Sequence, residues 1–480
     1  MPLYPRLLLL ITLCLPPLSL TAAVELPSIG DPSERLVSPD QERQLGEAFM
    51  RRLRQQVPIV DDAELNAYLN GLGNRLVANS DAPSQQFSFF IIENDAINAF
   101  AAPGGYIGMH SALILAARDE SELAGVLAHE IAHITQKHLV RAYDAASRMS
   151  LPAAAAILAA ILIGTQSGEA GQAAIMAVQA GAIQQQINFT RSNELEADRI
   201  GMQTLLRSEF DPLGMPAFFE RLHQATRYYG EGVPPFLRTH PVTTDRIADS
   251  MARAEQERPR QVRDSLNFYL AQAKLRANIG RDPKQALQYF SQIKTDPPLP
   301  EAARQYGQAL ALARIGDHDA AIESLTRLGK ADPDRMAYPL ALAQTHQLAG
   351  RHAQALEDYR HMLALYPANP VLVEGYANSL IHGKHFAEAY RLLEETRRRQ
   401  PRPTPDILSL LARAATGLGR QVEAHEAMAE FYYLNGQTHS AIEQLTLAGR
   451  LPGQDFYQSS RIEARLQQLK ALALEEQPSR

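Results

Sequence analysis

The sequence predicts two joined architectures: a mixed α+β domain built around a metal site, followed by an all-α solenoid of repeated helix pairs. Three observations carry that prediction. Two histidines four residues apart, His129 and His133, lie in a helical stretch that follows a strand-rich segment. A second helical stretch downstream offers carboxylates at Glu194, Glu196 and Asp198. In the second half of the chain, alanines, glycines and prolines recur every 34 or 35 residues.

Residues 1–23 begin with a basic Arg6, continue through LLLLITLCLPPLSL and finish at Thr21-Ala22-Ala23. A basic start, an apolar middle and a small-residue end are the pattern of an export signal cleaved near Ala23. The apolar run is too short and too proline-broken to span a bilayer, and Leu13 before Cys14 is too large for a typical lipoprotein site. Cys14 is the only cysteine, so the mature chain has none. Disulfides and thiol catalysis are thereby excluded, and an oxidising compartment such as the periplasm suits the chain. Loss of Arg6 leaves 46 basic (47 − 1) against 53 acidic residues, a formal net charge of −7. Nucleic acid is not an expected partner for that balance.

Between Ser38 and Leu76 the periodicity predicts two scaffold helices, with Leu45, Phe49 and Leu53 on one and Leu65, Tyr68, Leu69 and Leu72 on the next. QFSFFII, residues 86–92, reads as a strand; Pro103-Gly104-Gly105 then turns the chain into Tyr106-Ile107-Gly108-Met109. An edge of the resulting small sheet is suited to pair with an extended peptide, with Asn98 and Ala99 as candidate substrate contacts. A purely structural hairpin is the alternative.

GVLAHEIAHITQK, residues 125–137, is the centre of the first domain. Asp119 and Ser121 are placed to cap its helix, and Leu123, Val126, Leu127, Ile131 and Ile134 form a buried stripe. One helical turn separates His129 from His133, so both imidazoles can aim at one zinc ion. Glu130 between them is placed to take a proton from water that the ion acidifies. The pentapeptide alone is a weak signal. RSNELEADRIG, residues 191–201, strengthens it: Glu194 supplies a third ligand, and Asp198, one turn on, accepts the free ring proton of a ligand histidine. Glu196 is turned about 200 degrees from Glu194 and reads as a solvated charge.

Two further stretches belong to this domain, expected to cover residues 24–255. Leu151 to Ile183 has two apolar halves around a polar interruption, neither reaching the roughly 20 residues that span a bilayer. It is either a buried helical hairpin or a mobile element that touches membrane or unfolded substrate; the close packing of Ala-rich helices favours burial. FLRTHPVTTDRI, residues 236–247, carries His240 and Arg246. Pro241 holds His240 off helical geometry. That suits an oxyanion donor, a fourth zinc ligand that keeps the enzyme inactive, or a helix cap far from the metal; Arg246 is a second candidate oxyanion donor. His138, five residues past His133, is expected to point away, and His110 has an equally weak claim.

After the charged linker MARAEQERPRQ, Ala286, Ala321, Ala355, Ala389 and Ala424 recur at 35, 34, 34 and 35 residues, and Pro333, Pro367 and Pro401 at 34. Such a period is that of tetratricopeptide repeats, here expected over residues 265–475. Gly280, Gly316, Gly350, Gly383 and Gly419 fall at the turn before each alanine. No unit can bury its own face alone, so the units stack into a solenoid whose concave surface binds protein.

HEIAH, NELEAD and THPVTTDRI, in that order after NAFAAPGG, resemble the zinc metallopeptidase family that includes HtpX and the CAAX prenyl endopeptidases. The resemblance covers roughly residues 38–250. It implies a zincin-like catalytic domain holding one Zn2+ per chain on His129, His133 and Glu194, with Glu130 as catalytic base. The whole mature chain is similar to exported soluble members that end in tetratricopeptide repeats. That similarity implies a periplasmic endopeptidase that degrades misassembled outer-membrane barrel proteins and has chaperone-like activity. The repeats would then dock on the barrel assembly machinery. Peripheral membrane contact is compatible with this reading. The competing one is a non-proteolytic adaptor or chaperone with a structural or latent zinc site, against which an intact Glu130 argues.

Overall fold

The computed structural model describes residues 38–138, 151–163, 191–229, 234–257, 262, 264–280, 282–292, 298–399 and 402–476. The export-signal reading of residues 1–23 and the second half of the Leu151 to Ile183 stretch lie outside them.

Helix α1 (Pro39–Gln56) starts at a capping box in which the Ser38 and Gln41 side chains each accept from the other's backbone N–H. Helix α2 (Ala63–Ala78) starts on Asp62, whose carboxylate accepts from the N–H groups of Glu64 and Leu65. Strands β1 (Ser88–Ile92), β2 (Ala99–Ala102) and β3 (Tyr106–His110) form one sheet in the order β1-β3-β2. Strand β1 runs parallel to β3 and β2 antiparallel to it, with Phe90 and Phe100 both opposite Gly108. Side chains alternate faces along a strand, and here both faces are apolar. Phe89, Ile91, Ile107 and Met109 join the main core. Phe90, Ile92, Phe100 and Ala102 join a second core with Leu45, Phe49 and Leu53 of α1.

The main core holds α3 (Ser111–Ala116), α4 (Glu120–Thr135), α6 (Arg191–Arg207) and α7 (Gly214–Tyr229) against the sheet and α2. Helix α5 (Leu151–Ile163) lies on the opposite face, where Ala154, Ala155, Leu158, Ala159 and Leu162 complete the second core. The described half of the apolar stretch is therefore buried on α1 and the sheet. No helix among the described residues is long and apolar enough to cross a membrane.

Helix α8 (Pro235–Thr239) is one short turn, and α9 (Thr244–Gln256) is capped by Thr243. Beyond them the elements among the described residues are all helices: α10 (Leu266–Asn278), α11 (Pro283–Ser291), α12 (Glu301–Ile315), α13 (His318–Ala331), α14 (Ala337–Leu348), α15 (His352–Leu365), α16 (Pro370–His382), α17 (Phe386–Arg399), α18 (Pro405–Gly417), α19 (Gln421–Leu434), α20 (Thr438–Arg450) and α21 (Phe456–Glu475). All five recurrent alanines are buried, Ala321, Ala355 and Ala389 completely. Gly280, Gly316, Gly350 and Gly419 take the left-handed backbone expected at a helix C-terminus. The fourth turn departs from the pattern: Gly383 has φ −73°, and Lys384 takes the left-handed position instead.

Helix α10 is buried on two faces and so belongs to both halves. Phe268, Ala271 and Leu275 enter the main core, while Leu270, Ala273 and Ala277 enter the first core of the solenoid. Buried Lys274 reaches Asp62 at 3.0 Å and Glu64 at 2.6 Å. At the far end, Arg51 of α1 donates to the Tyr433 carbonyl, Thr438 and Glu476. Both ends of the solenoid thus touch the α+β part.

Candidate metal centre

Helix α4 is buried on every side from Glu120 to Ile134. Asp119 caps it, accepting from Glu122 N–H at 2.8 Å. Ser121, the other expected cap, lies inside the helix, and its hydroxyl accepts from Asp211 N–H. Helix α6 packs directly on α4: a Cβ added at Gly201 would stand 3.0 Å from the backbone nitrogen of His129. This close approach brings Glu194, two turns earlier on α6, opposite the histidine pair.

One ligand atom each from His129, His133, Glu194 and His240 lies within 4.8 Å of all the others. His129 Nε2 is 3.0 Å from His133 Nε2, 3.4 Å from His240 Nδ1 and 3.6 Å from Glu194 Oε2. Glu194 Oε1 stands 3.5 Å from His133 Nε2 and 3.1 Å from His240 Nδ1. Bonds of about 2.0–2.1 Å to a tetrahedral ion make ligand atoms about 3.3 Å apart. The observed separations bracket that value. Nitrogen lone pairs converging with a carboxylate in a dry pocket are compatible with a small divalent cation at their centre. Both oxygens of Glu130, fully buried, lack a hydrogen-bond partner among the described residues, and His240 Nε2 stands 3.5 Å from one of them. Burying a carboxylate so costs several kcal/mol on the order of magnitude expected for an unpaired polar group.

Behind the cluster, Asp198 Oδ1 is 3.0 Å from His129 Nδ1. Arg246, 1% exposed, grips both Asp198 oxygens at 2.7 and 2.8 Å, donates to the Pro241 carbonyl and meets Glu194 Oε2 at 2.7 Å. This corrects the expectation of an oxyanion donor, because the guanidinium is committed to two buried carboxylates, Asp198 behind the cluster and Glu194 within it. Burial alone would raise the Asp198 carboxyl; hydrogen bonds from Arg246 and His129 outweigh it and hold it at about 2. Glu194 is lowered in the same way, by His240, His129 and Arg246 against burial. Burial and the neighbouring histidines push His133 well below the usual imidazole range, keeping it neutral. His240 is raised, since Glu130 and Glu194 face it and outweigh its burial. Phe219 and Phe236 wall the site, their ring centroids 5.9 Å from His129 and 5.0 Å from His240.

Other sequence expectations are met or changed. Of the three alternatives for His240, the structure does not place it far from the metal site: it is the C-terminal residue after the one-turn α8 and lies in the cluster. Asn98 and Ala99 are 1% and 0% exposed, and Asn98 Nδ2 donates to the Leu162 carbonyl of α5, so neither is open to a peptide. His138 does not point away. Helix α4 stops at Thr135, Lys137 takes a left-handed φ of 54°, and the chain folds back to put His138 Nδ1 2.8 Å from His133 Nδ1. Glu196, read as a solvated charge, lies 3.3 Å from His138 Nε2. Counting residues around an unbroken helix could not reveal this, because nothing in the local sequence marks a lysine for the left-handed region. His110, bonded at Nδ1 to the Ala96 carbonyl, stands outside the cluster.

Comparison with known proteins gives the family. Residues 63–254 match the model of Peptidase family M48, and residues 305–335 and 347–414 match tetratricopeptide repeat models. A Vibrio cholerae relative is 39% identical over 95% of this chain and 94% of its own. The beta-barrel assembly-enhancing protease of Escherichia coli strain K12 is 37% identical over 94% of this chain and 92% of its own. The mitochondrial metalloendopeptidase OMA1 of Schizosaccharomyces pombe is 27% identical over 38% of this chain and 50% of its own. With relatives this similar along nearly its whole length, the chain belongs to peptidase family M48: it is a metallopeptidase that continues into tetratricopeptide repeats.

Proposed function

We propose that this metallopeptidase is a zinc endopeptidase of the periplasm that degrades misassembled outer-membrane barrel proteins, with His129, His133 and Glu194 as metal ligands. The supporting observation is the buried convergence of those three side chains beside the Glu130 carboxylate, which has no hydrogen-bond partner among the described residues. When bound, the ion supplies a Lewis-acid charge that acidifies water and polarises a peptide carbonyl. Glu130 takes the proton of the attacking water and hands it to the leaving amine nitrogen. Asp198 accepts the Nδ1 proton of His129, which leaves the Nε2 lone pair facing the cluster. Arg246 holds Asp198 and Glu194 in place. Phe219 and Phe236 restrict water around the histidines.

The barrel-protein substrates and the periplasmic setting rest on similarity to the beta-barrel assembly-enhancing proteases, along most of both chains. The repeats, expected over 265–475, are the surface for docking on the assembly machinery and its clients. We take residues 24–255 as the peptidase domain. Casein hydrolysis by the parent and by Glu130→Gln tests the reading: the variant should be inactive. Equal behaviour of the two would favour an adaptor with a structural metal.

The position of His240 favours a second reading, a latent enzyme in which this imidazole takes the fourth position. There, His240→Ala should raise proteolysis; a fall would assign His240 to oxyanion stabilisation.

A further inference from the structure

The two histidines of α4 are supported in different ways. A ligand imidazole that presents a bare Nε2 carries its proton on Nδ1, and that proton needs an acceptor to fix the ring. For His129 the acceptor is Asp198, a carboxylate clamped by Arg246. For His133 the group that faces Nδ1 is His138 Nδ1, at 2.8 Å. If His133 donates there, His138 must accept at Nδ1 and carry its own proton on Nε2. His138 Nε2 lies 3.3 Å from Glu196 Oε2, an acceptor in the right place. His138 is 1% exposed and lies against His133 with ring centroids 4.9 Å apart. The side chain of Glu196 is 35% exposed, so the outer end of the relay is partly solvated.

We propose that His138 and Glu196 are positioning residues of the metal centre, a two-member relay that fixes the tautomer and orientation of His133 as Asp198 does for His129. The inference rests on the reading of His133 as a metal ligand. Two features of the fold support it. The left-handed turn at Lys137 brings His138 back over α4 in place of continuing the helix away from the site. Glu196 sits between Glu194 and Asp198 on α6 and turned from them, so one helix faces His129 with one carboxylate and His138 with another.

The test measures Zn2+ affinity of the full chain by competition with a chromophoric chelator, together with the absorption spectrum of the Co2+-loaded protein. His138→Phe keeps a ring of similar shape but removes the acceptor, and should weaken zinc binding about 10- to 100-fold and alter the cobalt spectrum. His138→Asn offers an amide oxygen near the Nδ1 position and should recover most of the loss. Glu196→Leu should weaken binding less than His138→Phe, and Glu196→Gln less again. In the double variant His138→Phe/Glu196→Leu, the second change should add nothing, because the chain is already cut. Thermal unfolding of each variant identifies a variant that fails to fold; Glu196, at the edge of the site, remains informative in that case. Unchanged affinity and spectrum in folded His138→Phe and Glu196→Leu, with a parent that binds stoichiometric zinc, would overturn the relay alone. A parent that binds no zinc would overturn the ligand reading and the relay with it.

Discussion

The helix pair that carries the metal centre and the helix pairs of the solenoid use charge in opposite ways. In the solenoid, polar side chains join counterparts one repeat apart: Arg461 to Glu426 and Arg465 to Glu430, both 35 residues away, and Arg351 to Asp319, 32 away. These groups are mostly exposed, and the buried positions of the repeats are mostly apolar, with a few neutral or singly paired exceptions such as Thr345, Ser379 and His346. In the centre, Glu130, Glu194, Asp198 and Arg246 are all under 3% exposed and arrive from three separate segments. A fold selected for stability alone would not bury a carboxylate without a hydrogen bond beside three imidazoles. The difference separates what holds the molecule together from what it does.

The sharpest way to break that comparison is at Glu130. Glu130→Gln should lower the turnover of casein by about 10²- to 10⁴-fold, the range for loss of a general base, while metal content and melting temperature are retained. No substitution of a solenoid carboxylate such as Glu426 should approach that loss.

Next is the paired arginine. Arg246→Leu strands the charges of Asp198 and Glu194 in a dry site and should cost about 3–5 kcal/mol in denaturant unfolding. Arg461→Leu, which breaks an exposed solenoid pair, should cost less than about 1 kcal/mol. Similar losses at the two sites would erase the distinction.

Two glycines sharpen it further. At Gly201 a methyl group meets the His129 backbone, so Gly201→Ala should separate α4 from α6, cost about 1–3 kcal/mol and weaken zinc binding. Gly316 has φ 94° and open space around it; Gly316→Ala should cost about 1 kcal/mol through backbone strain and leave zinc affinity unchanged.

A pH-dependent effect lies at the seam between the two regions. Burial and the charges of Asp61 and Asp62 push Glu374 of α16 up to about 7. Its folded pKa exceeds its unfolded value, so the folded chain keeps the proton longer, and this group costs stability increasingly from about pH 4.5 to 7. Glu374→Gln should therefore stabilise the protein at pH 8 and leave it unchanged at pH 4; the reverse order, seen in thermal melts, would contradict the assignment.

The solenoid was legible because its signal is local and repeated: a buried alanine every 34 or 35 residues states its own period. The α4 histidines and Glu194 could be placed for a similar reason, since each helix was recognisable by itself and the spacing of four fixes which side chains share a face. Interactions that depend on where a helix stops were not legible. His138 returns to His133 only because the helix breaks at Lys137, and Arg246 turns away from an oxyanion role only because Asp198 and Glu194 come within its reach. Strand β2 was missed for a related reason: AFAA is too short and too small to announce itself, and it is fixed by pairing with β3.

The most direct measurement is zinc content determined together with casein hydrolysis on the parent, Glu130→Gln and Glu194→Ala, all purified without chelator. The expected result is about one zinc per chain in the parent and in Glu130→Gln, activity in the parent alone, and zinc largely lost from Glu194→Ala. A parent without stoichiometric metal, or a Glu194→Ala protein that keeps both its zinc and its activity, would contradict the assignment of His129, His133 and Glu194 as the centre of this molecule.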